Sequence, residues 1–168
     1  MYDHQTESLW SQLLSKGVTG VKAGIPLNVI PSTRTKWKTW RRKHPDTAIM
    51  SSDTGYDRNY SKDPYEGYHR LGTIWFPVGD IRKDLSPKER IVGVEIGKNT
   101  RAYPISVLKR RSGTLKDALG DEVLQIEINS DGEVVSIKDS RGRPVPHIFA
   151  YWFAWQAFHP ATSVYGGR

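Results

Sequence analysis

The alternation of apolar and polar residues is strongest at 123–129 (VLQIEIN) and 133–139 (EVVSIKD), two runs of period two separated by Ser130, Asp131 and Gly132. Side chains on a strand alternate between faces and Asp-Gly favours a tight reversal, so this segment predicts a β-hairpin. Residues 90–96 (RIVGVEI) are rich in β-branched side chains and predict a strand that the turn at 97–99 reverses into 100–103. Shorter runs predict strands at 25–31, 47–52 and 73–78. The N-terminus predicts a hairpin, residues 1–3 leaving and 8–14 returning, followed by a glycine-punctuated loop or irregular strand at 16–24. Residues 79–89 and 112–122 read as connections, and 162–167 as a terminal strand or tail.

Three segments predict helices. The first runs to Lys43, with Ser32 or Thr33 placed to cap it and the His44-Pro45 step to stop it, because a residue before proline avoids the helical region. The second is 104–111, with Pro104 in the first turn. The third spans 147–158 (HIFAYWFAWQAF). The pattern predicts an α+β protein, mostly antiparallel strands in hairpins with two or three short helices, as a single domain over 1–168.

Two of these helices carry the same pattern. Trp37, Trp40, His44, Pro45 and Thr47 recur as Trp152, Trp155, His159, Pro160 and Thr162, an offset of 115 residues (152 − 37), and Pro31 recurs as Pro146. This predicts an internal repeat, over 25–52 and 140–166, of a unit strand, proline, helix, His-Pro-x-Thr and strand. On a helix, positions i, i+3 and i+7 lie within about 60° of each other, so each Trp-Trp-His set forms one stripe. The remaining faces of the first helix are Lys, Arg and Thr, whereas the second is apolar nearly all round except at Gln156. The first is therefore expected to be exposed and the second buried. Two readings fit the stripes: converging walls of a pocket with His44 and His159 as weak metal-ligand or acid–base candidates, or tryptophan anchors with each histidine closing its helix. The second is favoured, since two histidines alone cannot complete a metal site.

Composition narrows the chemistry. The chain of 168 residues has 37% hydrophobic and 26% charged residues, a globular balance. It contains no cysteine, which excludes disulfides, thiolate metal sites and cysteine nucleophiles. No export signal or membrane span is legible, so as written it is expected to be soluble and cytoplasmic. Net charge is +7, with Arg34, Lys36, Lys38, Arg41, Arg42 and Lys43 in one stretch of ten and Lys109, Arg110 and Arg111 in another. Such clusters fit either a solvated face or a nucleic-acid footprint at 34–43; without a nucleic-acid motif the former is favoured.

Residues 53–70 show neither period and hold Asp53, Tyr56, Asp57, Arg58, Tyr60, Asp63, Tyr65, Glu66, Tyr68 and His69. Long irregular loops in compact domains are often functional. Rings that stack and carboxylates that accept hydrogen bonds suit a small polar or sugar-like ligand, and this loop is the first candidate site. The alternative is scaffold, with the tyrosines pinning the loop. A metal-dependent or hydrolytic enzyme using these acids with a histidine is a further alternative. No cofactor is predicted; a metal is possible, although the spacing of a calcium loop is absent. Nucleophile-elbow, phosphate-loop, dinucleotide and His-Glu-x-x-His signatures are absent as well.

Several segments, YDHQTESLWSQ, HPDTAIMSSDTGYDRNYSKDPYEGY, FPV, PKERIVGVEIGKNTRAYPISVL and FAYWFAWQAFHPAT, closely resemble the bacterial and archaeal family designated domain of unknown function 3179. The resemblance implies no activity. It implies that relatives usually carry an upstream half with a Cys-Pro-Leu-Cys-Gly motif, many with export signals, so that full-length relatives are often extracytoplasmic. This chain then corresponds to their C-terminal portion, as a fragment or a short version. A truncated first hairpin would leave a sheet edge through which a homodimer can form.

Overall fold

The computed structural model describes residues 1–75, 77–130 and 133–166. Among these residues, ten strands and four short helices give a mixed α+β fold. The chain forms two compact units, one of residues 1–34 and 78–168, the other of 35–77. No helix among the described residues is long and apolar enough to cross a membrane.

The first unit begins with a three-stranded antiparallel sheet, β1 (Tyr2–Asp3), β2 (Ser8–Ser11) and β3 (Lys16–Thr19), in that order across the sheet. The opening hairpin is as the sequence predicts, and the glycine-punctuated run supplies the third strand. Gly20 at φ 80 turns the chain so closely that a Cβ there would lie 2.5 Å from the Glu7 carbonyl oxygen. Only a glycine both adopts this conformation without penalty and leaves that space.

The centre is the sheet β10-β5-β4-β9. β4 (Arg90–Ile96) pairs antiparallel with β5 (Asn99–Pro104) and with β9 (His147–Tyr151), and β10 (Ser163–Val164) pairs parallel with β5. β4 is buried on both faces. Val92 and Val94 face a cluster containing Tyr103, Leu124, Ile126 and Ile137, while Ile91 packs with Ala102, Trp152 and Trp155. This accounts for the continuous apolar run, which a one-sided strand would not need. The first cluster rests on a second sheet of β6 (Gly113–Leu119), β7 (Glu122–Ile128) and β8 (Val134–Lys138). The other face is covered by α4 (Trp152–Phe158).

Several local expectations are corrected. Residues 112–122 hold strand β6 and not merely a connection: Thr114, Lys116 and Ala118 are exposed, while Leu115 is half-buried and Leu119 buried. The alternation is real but interrupted by Asp117. The segment 147–158 is half strand, because β9 pairs with β4 and the helix starts only at Trp152. Tertiary pairing overrides helical propensity there. Pro104 caps α3 (Ile105–Leu108) from outside instead of opening it. No strand forms at 47–52 or among the described residues of 73–78, and 25–31 contributes one bridge, Pro26 to Lys16. Ile30, Ile49 and Met50 are exposed, so these short apolar runs have no face to bury. Phe76, part of the FPV motif, lies outside the described residues, as do the last two positions of the 130–132 turn and the end of the 162–167 tail.

The second unit holds α1 (Trp37–Lys43) and α2 (Glu66–Arg70). Neither Ser32 nor Thr33 caps α1: Lys36 occupies the N-cap with no side-chain bond, and Thr33 Oγ1 instead donates to the Val135 carbonyl at 3.4 Å. Tyr68 is the one buried hydrophobic side chain among the described residues of this unit.

Candidate functional site

The stretches 37–47 and 152–162 take similar helix-and-stop geometry, but the flanking strands of the expected unit do not form around the first, where 47–52 is no strand and 25–31 gives a single bridge. Each helix is seven residues long and enters from an extended residue, Lys36 at ψ 140 or Tyr151 at ψ 150. Each ends on a histidine of nearly identical backbone, His44 at φ −136, ψ 72 and His159 at φ −129, ψ 66, whose N–H donates to the carbonyl of Trp40 or Trp155. Each imidazole lies on that tryptophan, with ring centroids 4.0 Å and 3.9 Å apart. The threonine three residues beyond the histidine donates its N–H back to the histidine carbonyl, and its Oγ1 accepts from the indole N–H, at 2.9 Å for Trp40–Thr47 and 3.0 Å for Trp155–Thr162. Histidine, proline and threonine thus close a loop under the tryptophan. The expected contrast in burial also holds: Trp152 and Trp155 are buried, whereas Trp37 is 42% exposed.

Each histidine is thereby used in its own helix stop. Burial holds the His159 imidazole below its ordinary value, with Glu95 and the Leu13 backbone opposing, and its Nε2 is buried without a hydrogen-bond partner among the described residues. No group of three or more His, Asp or Glu side chains among the described residues is arranged to hold a metal ion.

In the loop 53–70 the side chains divide into two groups. Tyr68 points inward and meets the Trp75 ring edge-on at 4.7 Å. Asp63 is committed to the backbone: Oδ1 accepts the Tyr65 N–H at 2.8 Å, and Oδ2 lies 3.5 Å from His69 Nε2. Glu66 and Arg70 pair one turn apart on α2 at 3.4 Å. Tyr56, Tyr60 and Tyr65 point outward, with Asp53, Asp57 and Arg58 exposed beside them in the sequence. The Arg58 guanidinium sits 5.9 Å from the Tyr56 ring centroid, and the Tyr60 hydroxyl and Thr54 Oγ1 share a bond of 2.6 Å. One tyrosine of four is therefore buried, and the other three are exposed, Tyr56 with Arg58 over its ring.

Two polar networks in the first unit are hidden from sequence spacing. Asp117 Oδ2 accepts from Arg101 Nη1 at 2.6 Å and from the Tyr103 hydroxyl at 2.7 Å, joining β5 to β6. Burial pushes the Tyr103 phenol well above its ordinary value, and the Asp117 bond and charge add to this. Its place is that of a donor, and a protonated phenol in that place is no nucleophile. Arg82 donates to the carbonyls of Pro160 and Thr162, pairs with Asp84, and lays its guanidinium 5.2 Å from the Trp152 ring centroid. Arg101 and Tyr103 share a face of β5, which period two shows; Asp117 was obscured because its strand read as a connection.

The scaffold is mixed α+β, and its loop 53–70 carries exposed tyrosines and carboxylates. A family model described as "Protein of unknown function (DUF3179)" matches residues 1–162, and the chain belongs to that family. No curated protein and no solved structure matches it significantly.

Proposed function

We propose that this chain is a binding module that takes a polar, sugar-like ligand on the loop 53–70. The observation that carries this reading is the outward set of Tyr56, Tyr60 and Tyr65 on a loop held from within by Tyr68 and Asp63. An exposed tyrosine keeps ring surface available for a ligand, here 73% of Tyr56, 52% of Tyr60 and 57% of Tyr65, and stacking on a phenol costs little side-chain entropy. Asp53 and Asp57 supply carboxylates that accept from hydroxyl groups, and Arg58 supplies a donor. Asp63 and Tyr68 belong to the support and not to the contact surface.

The test is a panel of neutral oligosaccharides titrated against the protein with backbone amide chemical shifts as readout. Binding should move amides of 53–66, and Tyr56→Ala, Tyr65→Ala and Asp57→Ala should each weaken it at least tenfold with an unchanged thermal melt. Shifts confined to other segments, or no shift at millimolar sugar, would overturn the assignment.

A further inference from the structure

The two helices of the repeated pattern differ in what covers their first-turn face. On α4 this face is occupied by a stretch of the same unit outside any strand or helix, residues 80–82. Trp152 Nε1 donates to the Arg82 carbonyl at 3.0 Å, and Gln156 Nε2 donates to the Asp80 carbonyl at 3.3 Å while its Oε1 accepts the Arg82 N–H at 3.5 Å. The indole at the first position and the amide at the fifth thus grip the backbone of residues 80–82. The corresponding positions of α1 are Trp37 and Arg41, with Lys38 and Arg42 beside them in place of Phe153 and Ala157. These four side chains line an open groove of about 360 Å³. Trp37 is 42% exposed, its indole N–H has no acceptor among the described residues, and no acidic side chain among them pairs with Lys38, Arg41 or Arg42.

We infer that the α1 groove is a docking site for an extended acidic polypeptide segment. The backbone geometry of the two helices agrees at both ends, so the same grip is available on α1: the Trp37 indole donates to a main-chain carbonyl, as Trp152 does. The chemistry differs at the fifth position. Gln156 offers one donor pair and one acceptor and suits a neutral backbone; arginine offers five donors and no acceptor. Arg41, flanked by Lys38 and Arg42, can therefore engage acceptors beyond one carbonyl, and carboxylates supply them as charge-assisted bonds in place of water. A segment of alternating Asp or Glu, whose main chain meets α1 as that of 80–82 meets α4, satisfies both the indole and the cations.

The probe is a fluorescently labelled twelve-residue peptide of alternating Glu and Ser, followed by anisotropy against the whole protein at 50 mM salt. Saturable binding is expected, weakened at least tenfold by Arg41→Glu and at least threefold by Trp37→Phe, which keeps the ring and removes the donor. Arg110→Glu, in the other basic cluster, and Tyr56→Ala, in the loop, should leave it unchanged, so failure here is separable from failure of the sugar-binding reading. Far-ultraviolet dichroism and melting temperature should match across these variants, since every altered side chain is exposed. Three results would each overturn the inference: no binding of the acidic peptide; equal loss on Arg110→Glu, which would mean unspecific attraction; or a single-stranded oligonucleotide of equal charge binding more tightly with the same dependence on Trp37 and Arg41. Concentration-dependent dimerisation abolished by Arg41→Glu would assign the groove to a second copy instead.

Discussion

The indole N–H of Trp155 donates to the hydroxyl of Thr162 at 3.0 Å, in a site where both residues are at most 1% exposed. Thr162→Val keeps the shape and removes the acceptor, leaving a buried donor unsatisfied. That should cost about 1–3 kcal/mol in denaturant unfolding. The matching Thr47→Val, at a half-buried Trp40, should cost under about 1 kcal/mol because water can replace the lost partner. Equal losses at the two threonines would contradict the difference in burial.

Gly93 lies on β4 beneath the same tryptophan. A Cβ at this position would come within 2.5 Å of the Trp155 ring. Gly93→Ala should therefore destabilise by about 1–3 kcal/mol through overpacking. In a Trp155→Leu background the obstructing ring atoms are gone, and the same substitution should cost much less. A double-mutant cycle on melting midpoints checks this, and additive losses would show that the close approach is relieved elsewhere.

The legible parts of the fold were those in which one strong local signal agreed with tertiary need. Residues 90–96 and the pair 123–129 and 133–139 read correctly because β-branched content or period two coincided with burial of those faces. The helix expected from His147 failed because HIFAY is apolar without a decisive period, and only its pairing with β4 makes it a strand. The runs at 25–31 and 47–52 failed for the opposite reason: their apolar residues look like strand, but beyond the Pro26–Lys16 bridge they form no strand pairing. In the loop 53–70 the residue types were visible, but the division between inward Tyr68 and outward Tyr56, Tyr60 and Tyr65 depends on Trp75, which no sequence spacing connects to them.

Tyr103 donates to a carboxylate from a fully buried position, so its phenol stays protonated beyond the range in which exposed tyrosines ionise. Absorbance at 295 nm, followed from pH 8 to the onset of alkaline unfolding, should give the same amplitude for the wild type and for Tyr103→Phe. A smaller amplitude in the variant would mean that Tyr103 ionises with the rest.

Two part-buried histidines make stability depend on pH below neutrality. Burial holds the imidazoles of His147 and His159 below the ordinary histidine value of about 6.5; the Val145 carbonyl opposes this at His147, and Glu95 with the Leu13 backbone at His159. Below about pH 6.5 the unfolded chain therefore binds more protons at these sites than the native protein does, and stability rises with pH through this window. The contribution is complete above about pH 6.5 and is lost as pH falls through the lower native values. Carboxylates add to the loss only further down, since Asp3 and Asp139 are both held below the usual carboxylate range, Asp3 mainly by its Thr6 bond and Asp139 by bonds from Arg143 and Arg141 that outweigh its desolvation. Denaturant midpoints should fall between pH 7.5 and 5.0, and His147→Phe should flatten that slope, because its ring carries no proton to gain on unfolding. A wild-type midpoint that is level or rises toward pH 5.0 would show that neither imidazole is held neutral by the fold.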